Sequence, residues 1–448
     1  MKYFDKLNPV LKVVIMYIVI SLIGMYILQM KIFINPGEDV SFLESFFTSI
    51  SSFATTGLSV VDVNEVYNYG GWLVLIIFFN IGGMGIMAMN TVLFLLLGRK
   101  IGIKNRMLAK IDQNNLTSED VVTILLTIVK MFLIVEIIGA LLIFFKIGYM
   151  DMNFIPRAIN SLFMASSAIS GSGFYNTVPY NHDYFVLFVL MILMIFSFIG
   201  YPVLVELKEF FKHKKSKNKR KYKFSPFTKI VVKVNIATVI IFALIFLGLE
   251  YNNTLSENNL FEKIYYAFYI SISTKSVGLN VFTDITLFQP ITLLFSTIFM
   301  VIGGSPSSAC GGIRVTTIYV IYAYIKAEVK GYNKVRYKNY YIGNETIMKA
   351  FFVSFMFIAI TFGGFLLIIL TNPHIKLLAI WYDVVSAITT TGFSTGELGN
   401  LNSIGIFIMA LLMLVGRLGV SNIIGSLKNK EKQVKSQRVN YIEKEIVI

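Results

Sequence analysis

The chain has 448 residues, 56% of them hydrophobic and only 15% charged, with a mean hydropathy of +0.70. A soluble chain carries nearer a quarter charged residues, so these proportions exclude an ordinary globular domain and indicate an integral membrane protein. The net charge of +15 would suit a nucleic-acid partner, but its distribution along the chain argues for a membrane and against nucleic acid.

A membrane-spanning helix needs about 20 apolar residues. Such stretches are predicted at 10–32, 72–97, 121–145, 184–205, 229–249, 288–302, 346–370 and 403–425, eight in all. The first has no small-residue cleavage site and is read as a retained span, not a signal peptide. With the N-terminus inside and alternation at each span, inner segments hold 30 Lys/Arg against 11 acids and outer segments 6 against 13. The other five charges (Lys130, Glu136, Lys233, Arg314, Arg417) lie in or beside spans. This is the positive-inside pattern, and it places both termini in the cytoplasm. The basic run KHKKSKNKRKYK (212–223) is then an orienting loop that faces lipid headgroups.

Between paired spans lie four short segments: FLESFFTSISSF (42–53), NFIPRAINSLFMASSA (153–168), LFEKIYYAFYISIS (260–273) and KLLAIWYDVVSAI (376–388). Twelve helical residues cover about 18 Å, too little for a hydrocarbon core of about 30 Å. Such a segment enters and leaves from one side, and its non-helical continuation must line a cavity or be buried in protein. Each is followed by a small, polar turn containing a glycine: Gly57, Gly173, Gly278 and Gly392, separated by 116, 105 and 114 residues. The near-constant period divides the chain into four pseudo-repeats, 1–108, 109–222, 223–338 and 339–448. The expected fold is therefore all-α integral membrane, with span, pore helix, filter loop and span repeated around one central pore. Backbone carbonyls aimed inward at the turns would replace the hydration shell of an ion, and glycine reaches the required angles without strain.

The sixth span is broken by GGSPSSACGG, residues Gly303 to Gly312. Glycine and proline weaken helix, and an unwound segment below the turns could obstruct a pore. Arg417 lies mid-span in LLMLVGRLGVSN. A permanent charge there costs at least about 2.5 kcal/mol unless it faces protein or water. The carbonyl-rich 303–312 loop is the expected partner. Lys275, next to the third turn, is expected to point away from the axis and pair with an acid. Lys130 and Glu136 are six residues apart and share no helix face, so their partners should lie on other helices in structural roles. NIGGMGIMA (80–88) sits in a span with no preceding strand and reads as helix packing, not nucleotide binding. One cysteine, Cys310, excludes an intrachain disulfide, and His182, His213 and His374 are scattered outside the spans. A metal or nucleophilic-catalysis constellation has almost nothing to be built from, and with no paired carboxylates or histidines within the spans a membrane-embedded enzyme is the weakest reading.

Across essentially the whole chain these motifs resemble the membrane subunit of Ktr/Trk-type potassium uptake systems, closest to the Ktr branch. The first span leads straight into the first turn, with no additional helical hairpin. The resemblance implies selectivity-filter runs Ala54-Thr55-Thr56-Gly57, Ser170-Gly171-Ser172-Gly173, Ser276-Val277-Gly278 after Lys275, and Thr389-Thr390-Thr391-Gly392. It implies a gate made of Gly303, Gly304, Ser305, Pro306, Ser307, Ser308, Ala309, Cys310, Gly311 and Gly312, anchored by Arg417. Ser307 stands where relatives carry glycine, and Gly171 where many carry asparagine. Four filter glycines imply potassium preference, with sodium passing when potassium is scarce. Also implied are a homodimer, a separate cytosolic nucleotide-binding regulatory ring, a bacterial plasma membrane, potassium as substrate, sodium as a candidate activator, and no bound cofactor. A proton- or sodium-coupled Trk-like symporter and a secondary carrier for an organic solute are the competing readings.

Overall fold

The computed structural model describes residues 9–85, 121–147, 153–175, 183–215, 222–282, 284–338 and 340–420. Residues 216–221 of the basic 212–223 run, His182, residues 86–88 of the glycine cluster and the basic C-terminal tail lie outside them.

The described helices recur in one order. Helix α1 (Pro9–Leu28) leads to the short α2 (Phe42–Phe53), then a single-turn α3 (Val63–Val66) and α4 (Tyr69–Met84). Next come α5 (Val121–Lys146), the short α6 (Phe154–Ser170), α7 (Tyr184–Ile199) and α8 (Tyr201–Lys215). The third group is α9 (Pro226–Glu250), the short α10 (Leu260–Ser273), α11 (Pro290–Val301) and α12 (Val315–Val329). The last is α13 (Asn344–Thr371), the short α14 (Leu377–Thr389) and α15 (Ser403–Leu418). Local sequence sets these boundaries. Ser41 with Glu44, and Asn259 with Glu262, form reciprocal capping boxes that start α2 and α10.

Four described helices, α1, α5, α9 and α13, are individually long and apolar enough to cross a membrane. The predicted span at 184–205 is corrected: α7 stops at Ile199, and the chain turns by 108° at Gly200 into α8. Helix α8 ends in Lys212, His213, Lys214 and Lys215, a basic end suited to an inner membrane surface. A second correction concerns the all-α expectation. Strands β1 (Arg336–Tyr337) and β2 (Tyr340–Tyr341) pair antiparallel between α12 and α13.

Packing follows a cycle. Each short helix lies against the long helix before it, and the apolar helix that follows its turn also meets the short helix of the next group. Thus α4 touches α6, α7 touches α10, α11 touches α14, and α15 returns to α2. The short helices supply the interior: Phe47, Ile50, Met164, Tyr269 and Val385 are buried, together with many small hydroxyl side chains. Their polarity is absorbed locally. Ser52, Ser170, Thr274 and Thr389 donate to carbonyls four residues back, at 2.6–2.7 Å, in the last turn of each short helix. Outside, Ile23, Ile137, Leu244 and Phe355 expose apolar surface along the long helices. That is the exterior a lipid-facing helix requires.

Candidate functional site

Each short helix runs into a turn whose backbone is left-handed twice. The residues are Thr55 and Gly57 (φ +53° and +89°), Gly171 and Gly173 (+71°, +70°), Ser276 and Gly278 (+70°, +71°), and Thr390 and Gly392 (+51°, +93°). The second residue of each pair makes the closest approach to its neighbour. A Cβ on Gly57 would lie 2.2 Å from the Ser172 carbonyl oxygen, and one on Gly173 2.3 Å from that of Val277. On Gly278 it would meet the Thr391 oxygen at 2.0 Å, and on Gly392 the Thr56 oxygen at 2.1 Å. Backbone against backbone at these distances admits no side chain, so glycine is required by space as well as by φ. The four contacts run in sequence order and return to the first. The carbonyls of Thr56, Ser172, Val277 and Thr391 thereby belong to one closed ring.

Hydrogen bonds from the short helices fix the turns. Thr56, Ser172 and Thr391 each donate their N–H to the carbonyl five residues back, of Ser51, Ser167 and Ser386, at 2.9 Å. Gly57 and Gly392 donate to the Ser51 and Ser386 hydroxyls at 3.1 and 3.0 Å. The third turn is shifted by one residue, with Val277 and Gly278 both donating to the Ser273 carbonyl at 3.1 Å. Helices α2, α6, α10 and α14 thus direct their C-terminal, partially negative ends toward the ring. Such ends favour a cation. A cavity of about 760 Å³ opens above it, lined by all four glycines and by Asp62 and Asp284.

Below the ring lies the 303–312 segment. Ile302 and Ile313 form a parallel bridge at its neck, with Gly303 N–H donating to Ile313 at 3.0 Å and Ile313 N–H to Val301 at 2.9 Å. Between them the chain projects against the bend at Gly200. Ser305 and Ala309 donate to the carbonyls of Phe198 and Ser197 at 3.0 and 3.3 Å, and Tyr201 donates to that of Ser307 at 3.1 Å. Gly304 and Pro306 pack there too, with the Pro306 oxygen 2.8 Å from where a Gly200 Cβ would lie. Ser307 is itself left-handed (φ +59°), which explains why glycine would fit this position. Ser308 donates back to the Ser305 carbonyl at 2.7 Å. Gly311 reaches the ring: its N–H lies 3.1 Å from the Ser276 hydroxyl oxygen and 2.9 Å from that of Thr390. Gly312, also at positive φ, packs against Gly303.

Arg417 donates to the carbonyls of Ala309 and Gly82 and, at 3.1 Å, to the Thr55 hydroxyl. One guanidinium therefore joins the segment, helix α4 and the first turn. Gly82 and Gly83 let α4 come close, since Cβ atoms there would fall 2.4 Å from the Phe53 oxygen and 2.7 Å from Ser170. The described part of the 80–88 cluster thus serves packing. Lys275 requires a correction. Its partner is no acid but the Ile302 carbonyl, 3.1 Å away. Glu136 is held by Asn80 at 2.9 Å and by Ser166, on two other helices, whereas Lys130 is exposed.

Three residues of the site escaped the sequence reading. Arg314 donates to the carbonyls of Cys310 and Ser305, bracing the segment from its own end. Asp383, buried in α14, accepts from the N–H and hydroxyl of Thr395 at 2.8 and 3.1 Å, tying the chain beyond Gly392 to its helix. Gly200 makes the bend on which the segment rests; the following Tyr-Pro was the available signal.

The geometry defines a multi-pass, helical membrane protein with a polar ring held between apolar helices. The chain belongs to the TrkH family of cation transport proteins, whose model matches residues 5–435. It is 31% identical over 436 residues to Ktr system potassium uptake protein D of Bacillus subtilis (strain 168), covering 96% of this chain and 95% of that one. It is 28% identical to Ktr system potassium uptake protein B of the same organism, over 92% and 91% of the two chains. The crystal structure of the potassium transporter TrkH from Vibrio parahaemolyticus superimposes with a TM-score of 0.71 at 16% identity, over 94% of this chain and 85% of that one. It establishes the shared fold.

Proposed function

We propose that this chain is the potassium-conducting membrane subunit of a Ktr-type uptake system in a bacterial plasma membrane, with both termini cytoplasmic. The four units surround one pore. The carbonyls of Thr56, Ser172, Val277 and Thr391 and the adjoining hydroxyls form its selectivity filter, and the 303–312 segment, held by Arg417, is its gate. The observation that carries this reading is the closed ring of glycine contacts, Gly57 to Ser172, Gly173 to Val277, Gly278 to Thr391 and Gly392 to Thr56. A neutral ring of carbonyls, faced by four helix C-termini, stabilises a dehydrated cation without binding it irreversibly. Asp62 and Asp284 at the mouth raise the local cation concentration without choosing between potassium and sodium.

The Ktr relatives support potassium as the substrate. The Ktr-system relatives support a cytosolic regulatory partner; a nucleotide-binding ring as that partner, a homodimer of this chain and sodium as activator rest on the family resemblance of the filter and gate motifs. Expression in a host lacking potassium uptake tests the function. Growth at low external potassium should be restored by the parent chain. A well-expressed chain that gives no rescue, or rescues equally without potassium, would refute the assignment.

A further inference from the structure

The four residues that open the filter runs are Ala54, Ser170, Lys275 and Thr389. Three are small, and the fourth is a lysine only 2% exposed. Among the described residues its ammonium group has no acidic partner within ion-pair distance; it donates to the Ile302 carbonyl at 3.1 Å. Ile302 is the C-cap of α11, where helical order ends, and it carries the bridge to Ile313 that forms the neck of the gate segment. A terminal helix carbonyl lacks an intrahelical donor and sits at the negative end of the helix dipole, so a cation is the matched partner.

The same filter run touches the tip of the segment. The Cys310 thiol lies 3.4 Å from the Lys275 carbonyl oxygen, and Gly311 N–H 3.1 Å from the Ser276 hydroxyl oxygen. Arg417 and Arg314 grip only the distal portion, at Ser305, Ala309 and Cys310. Among the described residues, Lys275 is the charged side chain that bonds the neck carbonyl of Ile302.

We propose that Lys275 is a positioning residue that latches the third filter run to the neck of the gate segment, so that filter and gate move as one body at that quarter. This rests on the filter-and-gate reading above, but its test does not need an ion to pass. Removing the ammonium frees the Ile302 carbonyl and loosens the neck, and the loosened segment swings its tip away from Lys275 and Ser276. Cys310 is the sole cysteine of the chain and is 1% exposed, so it reports that motion without further substitution.

The experiment is maleimide labelling of Cys310 in full-length protein in lipid vesicles, with rubidium flux measured in parallel. Lys275→Met should label at least about tenfold faster than the parent and raise basal flux several-fold, with the potassium-to-sodium ratio within about twofold. Lys275→Arg keeps a charged donor and should restore both rates. Should Lys275→Met not fold, Lys275→Gln, with an uncharged and shorter donor, should give an intermediate acceleration. Parent-like labelling in a folded Met or Gln variant would overturn the latch, as would labelling that Lys275→Arg fails to restore. A parent that labels slowly yet passes no potassium would instead defeat the conduction reading while leaving the latch intact.

Discussion

Thr55, Ser276 and Thr390 adopt left-handed backbone without being glycine, at a cost of about 1–2 kcal/mol each. What offsets the strain is the direction it gives their hydroxyls. Thr55 donates to the Ala309 carbonyl at 3.3 Å and accepts from Arg417, while Ser276 and Thr390 both stand within reach of Gly311 N–H. The second quarter has no such duty. Gly171 holds the equivalent angle without strain, and a Cβ there would fall 2.6 Å from the Ser197 hydroxyl. Gly171→Ala should therefore lower stability by about 1–2 kcal/mol or more, read as a fall in melting temperature in detergent. Gly171→Asn should fall between parent and Ala, because asparagine tolerates left-handed backbone better; an Ala variant as stable as the parent would contradict this. Arg417 serves three acceptors that diverge, a task for a planar fork and not for a single ammonium. Arg417→Ala should raise basal cation flux several-fold and lower the melting temperature. Arg417→Lys should resemble Ala; parent-like gating in the lysine variant would show that charge alone suffices.

At the scale of elements, the break between α7 and α8 matters as much as the break between α11 and α12, since the 303–312 segment rests on the first. Helix α8 is fastened to α9 by Glu206, which accepts from Ser225 N–H at 2.5 Å, from the Ser225 hydroxyl at 2.8 Å and from the Thr228 hydroxyl. Partial burial opposes ionisation of Glu206, but these bonds, led by Thr228, and the nearby Lys229 outweigh it and hold the carboxyl below its ordinary range. A depressed pKa means that Glu206 stabilises the junction above the ordinary carboxylate range and ceases to do so as pH falls through its lowered value. The melting temperature should drop on such acidification in the parent, and Glu206→Gln should show a smaller drop from a lower starting point. An identical acid response in both proteins would remove Glu206 from the account. Much of this level was legible in advance. The short helices declared themselves by length and by the glycine-containing turn after each, and the broken sixth span by Gly303 to Gly312. The 108° turn at Gly200 leaves no mark in hydropathy, because apolar residues continue through Tyr201, Val203 and Leu204, and only the Tyr-Pro after Gly200 signals it. The partner of Lys275 was illegible for a different reason. A free carbonyl at a helix end carries no side-chain signature, whereas an acid would have.

For the whole molecule the decisive property is closure. The helix contacts run from α4 to α6, α7 to α10, α11 to α14 and α15 to α2, and the glycine contacts follow the same circuit. In the sequence only a period of just over a hundred residues hinted at this, because periodicity gives the number of units and not which one meets the next. The circuit makes each glycine answerable to the carbonyl of the following unit, so damage at any one should distort the whole ring. Rubidium uptake by vesicles containing the purified chain, compared with Gly57→Ala, Gly173→Ala, Gly278→Ala and Gly392→Ala at matched protein, measures this directly. The account predicts potassium-competed uptake by the parent, and uptake at least about tenfold lower or unselective in each of the four variants. Parent-like, potassium-selective uptake by any folded variant would contradict a filter built from all four glycines.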